Sequence, residues 1–180
     1  MSSVVTPDSA GIIRPPVLLP RDSAGDAIGH ALKGAGFGVI HQAVTRTVPL
    51  PGALEAVSRW LAGAGTEDWL VLTSKRAVHQ LAADGLLTDL AVKVAAVGRA
   101  TARALADNGV EVCLIPQTQS GAGLVEAWDC PHSRVLLPVS ALAAGTVAEG
   151  LTAYFFDLER FDIYTTEPLE TLPTVIAQAW

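Results

Sequence analysis

Two stretches of this chain change from strand-like to helix-like patterning within one or two residues. The apolar run 69–72 ends at Thr73 and Ser74, the apolar run 94–97 ends at Gly98, and helical spacing follows each run. Parallel strands buried on both faces are continuous apolar runs, and helices usually connect them. The junctions therefore predict a parallel α/β sheet with helix N-termini along one edge. Free N–H groups and helix dipoles at such an edge suit an anionic ligand.

The composition excludes several classes of protein. The 180 residues are 50% hydrophobic and 17% charged, which is typical of a globular chain. A net charge of −6 argues against nucleic-acid binding. No apolar run is long enough to cross a membrane, and the N-terminus lacks the basic and apolar segments of a secretory signal. We expect residues 1–14 to form a tail and the protein to be cytoplasmic.

Cysteine, histidine and glycine positions give no sign of a metal or nucleotide site. The four histidines are scattered, and neither Cys113 nor Cys130 has a partner at metal-ligand spacing. We expect Cys113, within the apolar run 110–115, to be buried in the core. The glycines of 34–38 follow a predicted helix and not a strand, which is the wrong order for a pyrophosphate cradle. No cofactor is predicted.

Helical and strand periodicities divide the chain into one complete and one partial α/β region. Residues 52–156 alternate helices and strands, whereas 15–44 and 167–180 supply about two strands and two helices, too few to bury a core alone. The chain is therefore expected to be incomplete at its C-terminus. The predicted strands are 15–20, 37–44, 69–72, 92–97, 110–115 and 134–137, and the predicted helices are 24–35, 52–62, 76–83, 100–108, 121–128, 141–152 and 169–180.

Hydroxylated and basic residues at the strand ends allow two interpretations. Thr73 and Ser74 are either helix caps, the commonest role at such a junction, or ligands of a substrate carboxylate. Gly98 and Thr101 form either a tight turn with a cap or a close backbone approach to a ligand. Five cations follow the strand ends and are either solvated surface groups or counter-charges for an anion: Arg21, Lys75, Arg76, Arg99 and Arg103.

The ordered series of these motifs resembles the uroporphyrinogen-III synthase family. Asp68-Trp-Leu-Val-Leu-Thr-Ser-Lys-Arg-Ala-Val78 is similar to the family's element with a Thr-Ser pair after a strand. Val94-Ala-Ala-Val-Gly-Arg-Ala-Thr-Ala102 is similar to its Val-Gly element. Further resemblances, spread over nearly the whole chain, are 17–21, 120–124, 134–138 and 161–165.

The resemblance implies an α/β fold of two flavodoxin-like parallel-sheet domains, one inserted in the other. The inner domain would be 52–156, and the extended segments 45–51 and 157–166 would connect it to the outer domain. The outer domain would consist of 15–44 and 167–180 and would be incomplete. In the family the returning half carries a second Thr-Ser strand and a second glycine turn, and this sequence ends before either appears.

The implied reaction is the cofactor-free cyclisation of hydroxymethylbilane to uroporphyrinogen III, with inversion of ring D and loss of water. Tyr164 is the implied proton donor, because a tyrosine is protonated at pH 7, and its alternative role is packing at a hinge. The implied substrate-binding residues are Arg21, Thr73, Ser74, Lys75, Gly98, Thr101, Ser120 and Gly121. The alternative function is a non-catalytic tetrapyrrole- or anion-binding module. We expect a monomer, unless a partner completes the outer domain, and no nucleic-acid or membrane partner.

Overall fold

The computed structural model describes residues 14–21, 27–129, 133–152, 157–171 and 173–177. These residues belong to two compact units, an outer unit within Met1–Arg46 and Glu167–Trp180 and an inner unit within Thr47–Thr166. The elements in chain order are β1 (Val17–Leu19), α1 (Ala27–Gly34), β2 (Val39–His41), β3 (Thr45–Pro49), α2 (Ala53–Ala62), β4 (Trp69–Leu72), α3 (Lys75–Ala83), β5 (Lys93–Ala96), α4 (Arg99–Ala106), α5 (Gly121–Glu126), β6 (Val135–Ser140), α6 (Thr146–Thr152), β7 (Leu158–Pro168) and α7 (Thr174–Ala177).

The outer unit contains the β-α-β motif that the sequence predicts. Strands β1 and β2 pair in parallel, with Val17 opposite Val39, and α1 connects them. After α1, Gly36 adopts a φ of 81°, a left-handed conformation that glycine accepts without steric cost. The glycines of 34–38 therefore end a helix and begin a strand.

The inner unit is built around a five-stranded sheet in the order β3-β7-β6-β4-β5. The neighbours β4–β5, β4–β6 and β6–β7 are all parallel. Starting from β4, the chain first adds β5 on one side and later adds β6 on the other. The carboxyl ends of β4 and β6 therefore form the topological switch point of the sheet, where open α/β sheets bind ligands.

Alternate residues of the strands divide the apolar side chains between two cores. On β4, Leu70 and Leu72 pack in the core with α2, α3 and α4, whereas Trp69 and Val71 pack in the core with α5 and α6. We call these sides the α3 face and the α5 face. Both faces of the sheet are covered, which explains why the strand is apolar at every position.

A charged cluster fixes the amino ends of β4 and β6. Arg134 donates from Nη2 to Asp68 Oδ2 at 2.6 Å and from Nε to Asp68 Oδ1 at 3.3 Å. Gly65 N–H adds a bond of 2.8 Å to the same carboxylate. The Arg134 bond and, to a lesser extent, the Gly65 N–H lower the pKa of Asp68 against the opposing effect of its burial. The bidentate pair thus stabilises the register of two neighbouring strands.

A proline separates β4 from β6 at their carboxyl ends. The carbonyl of Arg134 accepts from Trp69 N–H, so by alternation residues 134, 136 and 138 direct their backbone polar groups toward β4. Register pairing between the strands ends at Leu70 and Leu136, and the next residue of β6 facing β4 is Pro138, which has no N–H. The sheet therefore opens at its switch point.

The structure corrects several expectations. The predicted strand 110–115 is reduced to a single bridge between Leu114 and Ala95 at the sheet margin, and Cys113 is exposed, not buried. An edge segment with one bridge has a strand on one side only, so Cys113 reaches solvent although Val110 is buried. The helix predicted for 141–152 begins only at Thr146, after a turn at 141–142 and an irregular segment. Cys130 lies outside the described residues.

Candidate functional site

Ser74 and Tyr164 form a hydroxyl pair on the α3 face. Ser74 is the N-cap of α3, and its Oγ accepts from Ala77 N–H at 3.1 Å. The Ser74 Oγ also lies 3.0 Å from the Tyr164 phenolic oxygen. The Tyr164 side chain is 5% exposed and belongs to the core of that face. Ser74 is therefore both a cap and the partner of the predicted proton donor.

A β-bulge brings Tyr164 to this face. Val139 pairs with Asp162, but Ser140 pairs with Tyr164, so Ile163 is an extra residue in β7. Ile163 and Tyr164 consequently both pack in the core of the α3 face. In a regular strand Tyr164 would follow Asp162 to the opposite side. Bulges commonly redirect one side chain in this way.

The α5 face carries a cavity of about 270 Å³ at the opened switch point. Thr73, directly after β4, lines it, as does Gly121 at the start of α5. Arg160 on β7 contributes the guanidinium group. Since Thr73 and Ser74 are consecutive residues at a strand end, they lie on opposite faces, Thr73 at the cavity and Ser74 at the tyrosine.

Gly121 also serves the packing of the two helices on this face. A Cβ at this position would lie 2.7 Å from Val147 Cγ2 of α6, closer than real side chains approach. The absence of a side chain therefore allows α5 and α6 to pack closely beside the cavity.

The N-terminus of α4 has an unexpected cap. Gly98 is the N-cap and has no side chain to offer, and the Arg99 N–H donates instead to Gln119 Oε1 at 2.8 Å. The same oxygen would lie 3.0 Å from a Cβ on Gly98, so a side chain there would crowd the Gln119 cap. An amide oxygen thus occupies the position where the sequence predicts a substrate carboxylate.

The other predicted residues occupy separate environments. Lys75 is exposed at the start of α3, and Thr101 is buried in the first turn of α4. Ser120 caps α5 through an Oγ that accepts from Gly123 N–H at 3.0 Å. Arg21 is exposed after β1 in the outer unit. The structure therefore joins Ser74 with Tyr164, and Thr73 with Gly121, within the inner unit.

A larger cavity, about 490 Å³, lies at the opposite end of β5 and contains none of the predicted residues. Its walls include Asp89, Lys93 and Glu111. Across the described ranges, no three His, Cys, Asp or Glu residues are grouped as a metal site would need, and no helix is long and apolar enough to cross a membrane. The predicted chemistry lies at the carboxyl end of the sheet.

Arg160 and Gln119 are the residues of this region that the sequence patterns do not identify. Arg160 lies within a strand that charged residues interrupt. Its position two residues before Asp162 indicates that the two side chains share a face of the strand, and this was the one available signal. No pattern indicates that Gln119 caps a helix that begins twenty residues earlier in the chain.

Comparison with known proteins identifies the family. The family described as uroporphyrinogen-III synthase HemD matches residues 26–180. No curated protein matches the sequence. A mutant uroporphyrinogen III synthase from the extremely thermophilic bacterium Thermus thermophilus has a TM-score of 0.57 at 16% identity, over 87% of this chain and 64% of that chain. Uroporphyrinogen-III synthetase from Helicobacter pylori has a TM-score of 0.58 at 14% identity, over 93% of this chain and 68% of that chain.

The parallel sheets of this chain and its structural match to both solved structures confirm the predicted α/β fold class. The chain spans less than two thirds of the length of the first of them. The family match covers more than half of the sequence, and it includes the segments around Thr73, Gly98 and Tyr164. This chain belongs to the uroporphyrinogen-III synthase HemD family.

Proposed function

We propose that this protein acts in tetrapyrrole biosynthesis and cyclises hydroxymethylbilane to uroporphyrinogen III, with inversion of ring D and loss of water. The observation that carries the proposal is the family match over residues 26–180. The proposal also assigns the protein to the cytoplasm.

Tyr164 is the proposed general acid. Departure of the bilane hydroxyl breaks a C–O bond and leaves an azafulvene cation, and a proton from the phenol converts the leaving group into water. The 3.0 Å contact supports this role, because Ser74 can donate its single hydroxyl proton to the phenolic oxygen while it accepts from Ala77 N–H. That bond would stabilise the negative charge that develops on the phenolic oxygen. Attack of a pyrrole carbon on the cation then forms the ring-closing C–C bond, and the proton that this carbon loses would return to the phenolate.

The remaining predicted residues are proposed to orient the bilane. Holding a flexible linear tetrapyrrole with its two ends together can lower the barrier by several kcal/mol. Thr73 and Ser74 follow β4 at the carboxyl edge of the inner sheet, where backbone N–H groups and hydroxyls can bind carboxylates. Gly98 follows β5 at the same edge, where a substrate carboxylate would have to displace the Gln119 oxygen from Arg99 N–H. The same role is proposed for the other residues implied by the resemblance: Arg21, Lys75, Thr101, Ser120 and Gly121.

The test is a coupled assay in which freshly made hydroxymethylbilane is mixed with the protein and the isomers are separated. Formation of the type-III isomer above the buffer control is the expected result. The type-I isomer forms without an enzyme, so type-I product alone would contradict the proposal. A matched reaction with heat-denatured protein controls for cyclisation that needs no folded enzyme.

A second function is a tetrapyrrole- or anion-binding module without catalysis. It is favoured by the burial of Tyr164, whose side chain is only 5% exposed and belongs to the core of the α3 face. This alternative predicts binding of a porphyrinogen by the protein with no type-III product. Absence of binding, measured by fluorescence titration with an oxidised porphyrin, would exclude it.

A further inference from the structure

We propose that the cavity of the α5 face is a subsite for one carboxylate-bearing pyrrole ring, and that Arg160 is its anion-binding residue. The cavity of about 270 Å³ is at the small end for ligand pockets, so it has room for one ring with an acid arm and not for a whole tetrapyrrole. The inference refines the proposed function, because the bilane consists of such rings.

The cavity walls combine apolar side chains with a few polar groups. Leu137, Val139 and Val147 provide apolar contacts, whereas Thr73 and Thr146 provide hydroxyls. Among the described residues that line the cavity, Arg160 is the single charged one. A flat apolar ring with one negative arm matches this arrangement, since the ring can displace water from the apolar wall while the arm meets a cation.

Arg160 is positioned with donors to spare. Its Nε donates to Asp162 Oδ1 at 2.9 Å, and its Nη2 makes a long bond of 3.4 Å to the carbonyl of Ala143. A guanidinium group carries five N–H donors in a planar fork. Within the described residues, Nη1 has no hydrogen-bond partner, and the side chain is 28% exposed. The group is therefore oriented by two contacts and still able to bind a carboxylate.

Asp162 gives this subsite a built-in competitor. It lies two residues after Arg160, and the side chains of both are on the side of β7 opposite Phe161 and Ile163. The Asp162 carboxylate partly neutralises the guanidinium and occupies Nε. We therefore expect a ligand carboxylate to bind more tightly when this internal carboxylate is removed.

The experiment measures binding of a pyrrole with one propionate arm, and of its uncharged amide, to isotope-labelled protein by NMR titration. We expect the acid to shift amides of Thr73 and Thr146 and to bind about tenfold more weakly to Arg160→Gln. Asp162→Asn should bind the acid several-fold more tightly. Arg59→Gln is the matched charge control, because Arg59 lies exposed on α2, across the sheet from the cavity. The Arg59→Gln variant should bind the acid with the same affinity as the wild type.

Three results would overturn the subsite: no binding of the acid, equal affinity for acid and amide, or unchanged affinity in Arg160→Gln while circular dichroism shows a native fold. A weaker affinity in Asp162→Asn would also contradict the competitor role. The cyclisation assay is independent of these titrations. If the protein makes the type-III isomer but does not bind the probe, the subsite is wrong and the proposed function stands. If it binds the probe but makes no type-III isomer, the proposed function is wrong and the subsite stands.

Discussion

Single residues at the carboxyl edge of the inner sheet determine which chemistry each face can perform. Ser74 caps a helix and contacts the phenol of Tyr164, whereas the preceding Thr73 lines the cavity that also contains Arg160. Two consecutive side chains at a strand end thus serve opposite faces. One face holds the proposed proton donor and the other the proposed anion-binding group.

Replacing Tyr164 by Phe tests the proposed general acid. We expect the rate of type-III formation to fall by about two orders of magnitude or more, which is the usual contribution of a positioned acid. The side chain is largely buried, so the ring should keep its packing, and thermal unfolding should change little. The rate is measured in the coupled bilane assay.

Tyr154→Phe makes the same chemical change at the chain's other tyrosine and should retain activity. Unchanged turnover in Tyr164→Phe would remove Tyr164 from the acid role. Ser74→Ala should give a smaller loss than Tyr164→Phe, because it leaves the phenolic proton in place.

Replacing Asp68 by Asn tests the charged cluster at the amino ends of β4 and β6. Arg134 keeps the pKa of Asp68 below its unfolded value, so the pair stabilises the protein above the unfolded pKa, and this contribution is lost as pH falls through the folded pKa. We expect the free energy of unfolding at pH 7 to fall by only about 1 kcal/mol, because solvent screens the partly exposed Arg134. The difference from wild type should disappear in acid.

Urea unfolding at several pH values measures this effect. The control is Glu67→Gln, because Glu67 pairs with Lys93 at 3.0 Å but is 83% exposed. Its variant should lie within a few tenths of a kcal/mol of wild type. If the free energy of unfolding of Asp68→Asn differs from that of the wild type by the same amount at neutral and acid pH, the ion pair is not the cause of the difference.

At the scale of elements, the close contact of α5 with α6 closes the α5 face beside the cavity. Each helix contributes a glycine at the crossing. A Cβ on Gly150 would lie 2.5 Å from Val125 Cγ2, and one on Gly121 would lie 2.7 Å from Val147 Cγ2. The β-bulge in β7 and Pro138 in β6 then shape the adjacent end of the sheet. Irregular positions, and not the regular ladders, build the site.

Gly150→Ala tests this crossing. Alanine favours a helix by about 1 kcal/mol, but overpacking against the β-branched Val125 costs about 1–3 kcal/mol. We therefore expect a net loss of about 1 kcal/mol, measured by thermal or urea unfolding. In a Val125→Ala background, the added Gly150→Ala change should cost less free energy of unfolding than it does in the wild type, because the crowding methyl groups are gone.

Gly34→Ala is the control for helix propensity, because a Cβ there meets nothing within 4 Å. It should be neutral or stabilising. Destabilisation by Gly34→Ala equal to that by Gly150→Ala would show that the α5–α6 contact is not the cause.

At the scale of the whole molecule, the chain consists of two compact units of unequal size. The inner unit has a five-stranded sheet covered on both faces, whereas the outer unit has a two-stranded sheet. Two strands are normally too few for independent stability. The inner unit is therefore expected to account for most of the free energy of unfolding.

We predict that the protein is a monomer of 18.7 kDa, the mass of the single chain. Light scattering coupled to size-exclusion chromatography measures this mass directly. A stable dimer would contradict the prediction and would agree with a second copy that completes the outer domain. Constant mass over a tenfold dilution would exclude a weak association in that concentration range.

Local patterning was sufficient to predict β4, α2 and the two junctions after β4 and β5. These segments combine apolar runs of strand length with capping residues, so local preference and tertiary packing agree. The same reasoning failed for 110–115, an apolar run that lies at a sheet margin. Burial there depends on which strands are neighbours, and residues close in sequence carry no information about this.

The sequence by itself determined the family, the parallel α/β class and the hydroxyl-bearing turns, because strand runs, caps and motif order are local properties of the chain. The tertiary structure decided which of these residues meet. The contact of Ser74 with Tyr164 spans ninety residues and depends on a bulge, and the cavity brings Arg160 of β7 beside Thr73. Register and strand order arise from long-range packing, so only the folded chain specifies them.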